Sequence, residues 1–240
     1  MIKIENTKVY GFEEAIRGMR NPMNSWDKSD SRYCDSAIME CDRDECVQPD
    51  NCNYCIGEKD LELMKKLVKA GTDHRKFMRM IVVYADVTAP LYWWKEADTY
   101  KVGTVRNSCS TMHKITEKEF TLDDFSHEHL INMYKLPSPY SDGAVYCCNA
   151  ISSLKETIML LNSFRANYIS TNDKKYWWQI IQLLPSSYNQ RATVMLNYEV
   201  LANMYHSRKN HKLDEWCGFC KWIETLPYSE LITGERPAHE

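Results

Sequence analysis

A polar cluster follows an apolar stretch in the C-terminal part of the chain and is the first candidate for chemistry. Asn197, Asn203, Arg208 and His211 lie within one short stretch of sequence. Amide, guanidinium and imidazole groups can together hold a phosphate or the edge of a heterocycle. The same residues have a simpler interpretation, in which Asn197 caps a helix and the two cationic groups stabilise its C-terminal end. On residue types alone the simpler interpretation is favoured, and the functional one stays open.

A second candidate is the stretch KEADTYKVGTVRNSCSTMHK, from Lys95 to Lys114. It also contains Lys101, Arg106 and His113, and it is dense in hydroxyl and amide groups. Backbone amides and hydroxyls in such a loop can cradle an anion. A solvated basic loop explains the same composition equally well, so neither interpretation is favoured over the other.

The third candidate is a cysteine-rich stretch. Five of the ten cysteines fall between Cys34 and Cys55. Four thiolates, from Cys41, Cys46, Cys52 and Cys55, could close a tetrahedral zinc site in a polar loop that has little else to hold it together. Their spacing matches no standard zinc finger, so free thiols on a variable loop remain the alternative. Cys217 and Cys220 lie on an apolar helical pattern and are expected to be packing residues.

Composition excludes several classes of protein. The chain has 240 residues, of which 44% are hydrophobic and 26% charged, as is typical of a globular protein. A net charge of −3 does not indicate the overall positive charge that is typical of proteins that bind nucleic acid. We find no leader sequence, no stretch long enough to span a membrane and no glycine-rich nucleotide loop, which predicts a cytoplasmic protein with neither a Rossmann nor a P-loop site.

Hydrophobic periodicity predicts the elements that must position these residues. We expect a first strand in MIKIENTKVY, a buried central strand over 80–88, and a second strand over 192–197. The predicted helices cover 12–20, 60–71 with Asp60 as the cap, a segment starting at Leu91, 122–134, 147–164, 198–208 and 213–226. This order predicts an α/β (α+β) fold, a single domain over 1–240 with a cysteine-rich insertion at about 30–58.

One long segment resembles a known family. LPSSYNQRATVMLNYEVLANMYHSRKNHKLDEW is similar to the C-terminal signature of the flavin-dependent thymidylate synthases, in which a Leu-Pro turn precedes a strand ending in Asn and a helix of the form N-x-R-x-x-x-N/H-F-x-x-x-R. Asn197, Asn203 and Arg208 fall on matching positions. His211 falls close to the family's histidine, with one residue deleted.

The upstream half of the resemblance lies in GTDHRKFMRMIVVYADVTAPLYWWKEADTYK. This stretch is similar to the family's G-H-x-S-P-x-E-H, strand, A-P and R-Q-x-x-R-H-R sequence. His74 and Ala89-Pro90 match in register, and Asn107, Ser108 and Ser110 echo the loop N-E-x-S-x-R-Y. The likeness covers roughly residues 60–110 and 180–216.

The resemblance implies both a fold and an activity. The fold would be a central sheet flanked by helices. The activity would be reductive methylation of dUMP to dTMP, with carbon from methylenetetrahydrofolate and hydride from NADPH through FAD, in a site built between the subunits of a homotetramer. By resemblance, the FAD contacts would be Asn107, Asn197, Asn203, His211, Tyr100 and Lys101. The dUMP contacts would be Ser110, Glu96 and Arg208, with Arg208 as the catalytic residue that stabilises charge on the uracil edge.

Several departures fall in the site itself. Where the family has R-H-R, this chain has Thr99, Tyr100 and Lys101, and Glu199 replaces the arginine of N-x-R. The remaining departures are Arg79 and Met80 for the E-H pair, Met112 and His113 for R-Y, Ile181 for an arginine before Leu-Pro, and Leu213 for a glutamine beside the uracil pocket. The loss of arginines keeps an alternative open, a catalytically degenerate homologue that binds a nucleotide or a protein partner as a regulator. A third possibility is another flavin- or folate-dependent modification of a pyrimidine nucleotide.

Overall fold

The computed structural model describes residues 1–33, 54–137 and 145–234, with backbone alone described for 134–137 and 145–148. The strands are β1 Lys3–Tyr10, β2 Arg32–Tyr33, β3 Tyr54–Cys55, β4 Val82–Pro90, β5 Thr104–Ser108, β6 Tyr134–Pro137, β7 Val145–Cys148 and β8 Asn189–Asn197. The helices are α1 Phe12–Arg20, α2 Glu58–Lys69, α3 Leu91–Ala97, α4 Ala150–Thr171, α5 Lys174–Leu183, α6 Tyr198–Arg208, α7 Asp214–Glu224 and α8 Glu230–Thr233.

A central antiparallel sheet has the strand order β1-β4-β8-β5. Tyr198 N donates to Ile81 O and Leu91 N donates to Tyr188 O, so the two ends of the β4–β8 pair are closed by backbone hydrogen bonds. Alternate residues of β4 and β8 are buried, because successive side chains of a strand point to opposite faces of a sheet. The prediction of an α/β fold with a buried central strand is therefore confirmed.

The chain forms two compact units. Unit one comprises Met1, 88–97 and 108–192, and unit two comprises 2–87, 98–107 and the chain from Thr193 onward. The core of unit one consists of Ile115, Phe120, Phe125, Leu154, Ile158, Leu161 and Ile180. In unit two, Tyr198 and Trp216 are among the largest fully buried side chains, and they fix α6 and α7 in the core of that unit.

Most predicted elements are confirmed, and two predictions are wrong. The bounds of α1 and α6 agree with the sequence prediction, but no helix covers 122–134. There, a capping box between Thr121 and Asp124 closes a single 3₁₀ turn, and Phe125 bridges to Tyr188 in a β-type pair instead of continuing the helix. Asp60 is not a helix cap, because α2 begins two residues earlier and Gly57 precedes it.

Asp60 instead accepts a dense set of hydrogen bonds within unit two. Its side chain is fully buried, and Arg20 Nε, Ser29 Oγ and Ser31 Oγ each donate to it over 2.6 Å. Burial alone would raise the pKa of the Asp60 carboxyl, but hydrogen bonds from Ser29, Ser31 and Arg20 bring the pKa below its ordinary value. The carboxylate thereby ties α1 and α2 to the chain segment that ends in β2.

We expect this ion pair to make stability acid-sensitive. Because the pKa of Asp60 is lowered by folding, its contribution is complete above the unfolded value of about 3.9 and is lost as pH falls through the folded value. Asp60→Asn should cost about 3–5 kcal/mol at pH 7, since it leaves Arg20 buried without its partner charge.

Urea unfolding at pH 7, 4 and 3 measures this difference. The free energies of unfolding of the wild type and Asp60→Asn should converge as the pH falls below 4. Asp27, an exposed carboxylate in the segment just before Ser29, gives the matched control. Asp27→Asn should leave the free energy of unfolding unchanged at each pH. A gap between wild type and Asp60→Asn that stays constant with pH would contradict the assigned role.

The cysteine predictions have different outcomes. Burial raises the pKa of the Cys220 thiol to about 11, and Cys217 is partly buried, so both are confirmed as packing residues. Cys41, Cys46 and Cys52 lie outside the described residues, and Cys55 is a partly buried cysteine at the end of β3. The zinc site therefore stays a prediction. Among the described residues, no helix is both long and apolar enough to cross a membrane.

Candidate functional site

The position of α6 is fixed at its first turn. Asn197 ends β8 and caps the helix, with its Oδ1 accepting a hydrogen bond from Val200 N at 2.9 Å. The amide oxygen satisfies one of the otherwise unpaired donors at the helix N-terminus. The capping role that the sequence predicted for Asn197 is thus confirmed, and the helix carries Arg208 as its last residue.

Gly103 lies directly against the amide of Asn197. It has a φ of +76°, in the left-handed region, and a Cβ added there would lie 2.3 Å from Asn197 Nδ2. Both the backbone conformation and the close approach require glycine. The chain entering β5 therefore packs against the residue that starts α6.

We expect Gly103→Ala to disturb this junction. The left-handed backbone costs an alanine about 1–2 kcal/mol, and displacing the Asn197 cap costs about 1 kcal/mol more. Thermal unfolding measures the combined loss. Gly18→Ala is the control, since Gly18 lies inside α1 and a Cβ there meets only the flexible end of the Met80 side chain. Equal melting temperatures for Gly103→Ala and the wild type would show that the junction tolerates a side chain.

Arg208 is held between two aromatic rings. Its Nε donates to Tyr100 Oη over 3.0 Å, and the guanidinium carbon lies 4.9 Å from the ring centroid of Trp216 and 5.7 Å from that of Tyr100. The two rings meet edge to face at 6.1 Å. A guanidinium over an aromatic face is attracted by the ring quadrupole, more strongly where water is excluded. The side chain is thus pre-oriented rather than a solvated charge at a helix end.

His211 completes this group, which we call the Arg208 cluster (Tyr100, Arg208, His211 and Trp216). The backbone N of His211 donates to Arg208 O at 2.9 Å, and its ring lies 6.3 Å from that of Trp216. Leu213 N donates to His211 Nδ1 at 3.2 Å. A neutral imidazole that accepts at Nδ1 carries its proton at Nε2. Nε2 is therefore the donor of this ring.

The segment that carries Tyr100 is anchored at both ends. Arg106 Nη1 donates to Asp98 Oδ1 at 2.8 Å and to Oδ2 at 2.6 Å, and Thr104 Oγ1 donates to the Tyr100 carbonyl. These contacts fix the loop between α3 and β5. Arg106 is thereby engaged by Asp98, whereas Lys101 is exposed at the turn of the loop.

The acidic residue in the first turn of α6 has a buried partner. Arg75 Nε donates to both carboxylate oxygens of Glu199, at 3.3 and 3.0 Å, and Nη2 donates to Oε1 at 3.2 Å. Both residues are buried, at 3% and 8% exposure. The charge introduced at position 199 is consequently neutralised inside unit two.

The remaining predicted site residues are not part of the Arg208 cluster. Asn107, in β5, and Asn203, on α6, are both exposed residues of unit two. In unit one, Glu96 is a partly buried residue of α3, and Ser110 Oγ accepts from Met112 N and His113 N in a turn. Sequence reasoning missed Trp216, although it lies within the segment that carries the resemblance.

Comparison with solved structures identifies the fold. The chain matches thymidylate synthase X (ThyX) from Helicobacter pylori, determined with FAD and dUMP, with a TM-score of 0.62 and 14% identity over 98% of each chain. It also matches the UMP/dUMP methylase PolB from Streptomyces cacaoi bound with 5-Br dUMP, with a TM-score of 0.57 and 12% identity over 97% of this chain and 93% of the other. The chain has the fold of the flavin-dependent thymidylate synthases. No family model and no curated sequence matches it.

The residues of this ThyX-like chain fit parts of a flavin nucleotide. A flavin presents carbonyl oxygens and ring nitrogens at its edges, and these pair with amide and imidazole groups. Asn107 and Asn203 are exposed amides, and His211 offers a donor at Nε2. Lys101 is an exposed cation that can meet a pyrophosphate as a point charge, whereas Arg106 is engaged by Asp98. The heterocyclic part of FAD is thus better matched than its pyrophosphate.

Proposed function

We propose that this protein catalyses the reductive methylation of dUMP to dTMP, with methylenetetrahydrofolate as carbon donor and NADPH as the source of hydride. The observation that carries the proposal is the fixed guanidinium of Arg208, held by Tyr100 and Trp216 at the C-terminal end of α6. Near-complete coverage of a ThyX determined with FAD and dUMP supports the same reaction class.

Arg208 orients the nucleotide and stabilises charge on the uracil edge. A guanidinium that is already oriented needs no reorganisation when charge develops, which is the main source of electrostatic catalysis. Bound FAD would supply the redox chemistry. We assign its binding to Asn107, Asn203, His211 and Lys101, while Asn197 acts through the start of α6. For Ser110 and Glu96 we keep the substrate contacts that the resemblance implies.

The charge at position 199 is compatible with an anionic ligand. A bare carboxylate near a nucleotide would repel its phosphate, but Arg75 neutralises Glu199. The arginines that the family uses elsewhere are still missing, and each arginine–phosphate contact contributes about 1.5–3 kcal/mol. Two or three such losses would weaken binding by about a thousandfold unless other groups replace them. We therefore expect lysine contacts, with Lys101 first among them.

The alternative is a nucleotide-binding regulator without turnover. The observation that favours it is the Arg75–Glu199 pair. Glu199 stands where the family motif has arginine, and it is a buried residue with its own ion-pair partner in unit two rather than an exposed one. Methylation of UMP, or of both nucleotides, is a narrower alternative that the likeness to PolB supports. In the catalytic proposal the protein is a homotetramer, and a strictly monomeric protein would count against it.

FAD retention tests the proposal first. The purified protein is mixed with FAD, desalted and examined by absorption spectroscopy. We expect a retained flavin spectrum, and we expect Asn203→Ala to weaken retention, while Asn167→Ala, an exposed amide on α4, leaves it unchanged. Protein that retains no flavin would contradict the catalytic proposal and favour the regulator.

A further inference from the structure

We propose that the hydroxyl of Tyr100 donates a hydrogen bond to a carbonyl oxygen of the pyrimidine ring, beside Arg208. This inference rests on the proposed function and names a specificity-determining contact within it. It also revises the role implied by the resemblance, which placed Tyr100 among the FAD contacts.

The hydrogen-bonding pattern gives the hydroxyl its direction. Arg208 Nε–H donates to Tyr100 Oη, so the phenolic oxygen is the acceptor in that bond. The hydroxyl proton must then point elsewhere, because a hydroxyl carries a single donor. Within the described parts of the chain, that proton meets no acceptor. It is therefore available to a ligand.

The chemistry of the Tyr100–Arg208 pair suits a neutral oxygen acceptor on a ligand. A hydroxyl that accepts from a guanidinium is polarised, and chains of hydrogen bonds strengthen one another. The pair thus presents a charged donor and a polarised neutral donor side by side. A pyrimidine carbonyl is an oxygen acceptor without a formal charge, and it suits a hydroxyl donor at a site where the family's charged R-H-R residues are absent.

The position of the ring is fixed without help from a ligand. Trp216 meets Tyr100 edge to face at 6.1 Å, the Arg208 guanidinium lies over the Tyr100 ring, and Thr104 binds the Tyr100 carbonyl. The ion pair Asp98–Arg106 closes the loop that carries the tyrosine. Removing the hydroxyl alone therefore leaves the ring in place. Because Tyr100→Phe also removes the acceptor of Arg208 Nε, the comparison between ligands, rather than the loss of affinity alone, identifies the contact.

Titration calorimetry on the FAD-loaded protein compares three ligands, namely dUMP and its 2-thio and 4-thio analogues, in which sulfur replaces one ring carbonyl oxygen. Sulfur is a weaker acceptor. We expect Tyr100→Phe to weaken dUMP binding about five- to tenfold, as for one hydrogen bond, and to change the binding of one thio analogue less than twofold. Tyr205→Phe is the matched control, because Tyr205 Oη already donates to Glu224 at 2.8 Å, and it should leave all three affinities unchanged.

Two results would overturn the inference while leaving the proposed function intact. If Tyr100→Phe weakened the binding of all three ligands equally, the hydroxyl would contact the phosphate or would only affect packing, and not bind a ring carbonyl. No weakening of any ligand would exclude a ligand contact altogether. A wild-type protein that binds none of the three would instead reject the proposed function, and the inference would fall with it.

Discussion

Replacing Arg208 with alanine is expected to reduce kcat for dUMP methylation by about a hundredfold to a thousandfold, the range for losing one pre-oriented donor to a developing charge. The fold should survive, because Arg208 is the last residue of α6 and is partly exposed there, beside Tyr100 and Trp216. Steady-state kinetics with saturating FAD, folate and NADPH measure the effect.

Lys209→Ala is the matched control for Arg208→Ala. Lys209 is an exposed cation that directly follows Arg208, so its removal changes the net charge equally without touching the Arg208 cluster. We expect its kcat to stay within about twofold of the wild type, because exposed charges contribute little. A similar kcat for Arg208→Ala and Lys209→Ala would remove Arg208 from the mechanism.

Arg75→Met is expected to cause a large loss of stability. It leaves the Glu199 carboxylate buried without its partner, which costs about 3–5 kcal/mol. In a chain of this length such a loss lowers the melting temperature by about 10 °C. Thermal and urea unfolding of the purified variant measure it.

A double-mutant cycle separates the ion pair from ordinary packing. The combination Arg75→Met with Glu199→Met should recover most of the lost free energy, because an apolar pair can replace a buried ion pair at little cost. Arg79→Met is the control, since Arg79 is the exposed last residue of the 3₁₀ helix Lys76–Arg79, which directly follows Arg75, and its substitution should cost less than about 0.5 kcal/mol. A double variant as unstable as Arg75→Met alone would contradict a specific pair.

Local pattern was enough to predict the elements around α6. A strand that ends in Asn197 followed by a periodic run of apolar residues defines both the cap and the helix, and the structure has them at those residues. The helix predicted over 122–134 failed for a tertiary reason. The spacing of the polar residues in this segment resembles that of a surface helix. Phe125, however, is buried in the core of unit one and pairs with Tyr188, which is distant in the sequence.

The contacts that define the site are long-range, and no local pattern encodes them. Tyr100 and Arg208 are 108 residues apart, and Arg75 and Glu199 are 124 residues apart. The sequence therefore shows Tyr100 and Glu199 only as departures from a family motif. The structure shows that each meets an arginine, one as a hydrogen-bond acceptor and the other as an ion-pair partner.

Product formation is the most direct test of the proposed reaction. The protein is incubated with FAD, NADPH, methylenetetrahydrofolate and dUMP, and the nucleotides are separated and identified by mass spectrometry. We predict a dUMP-dependent product heavier by one methylene group, and its loss in Arg208→Ala but not in Lys209→Ala. Unchanged dUMP in the presence of flavin-loaded protein would contradict the proposed reaction.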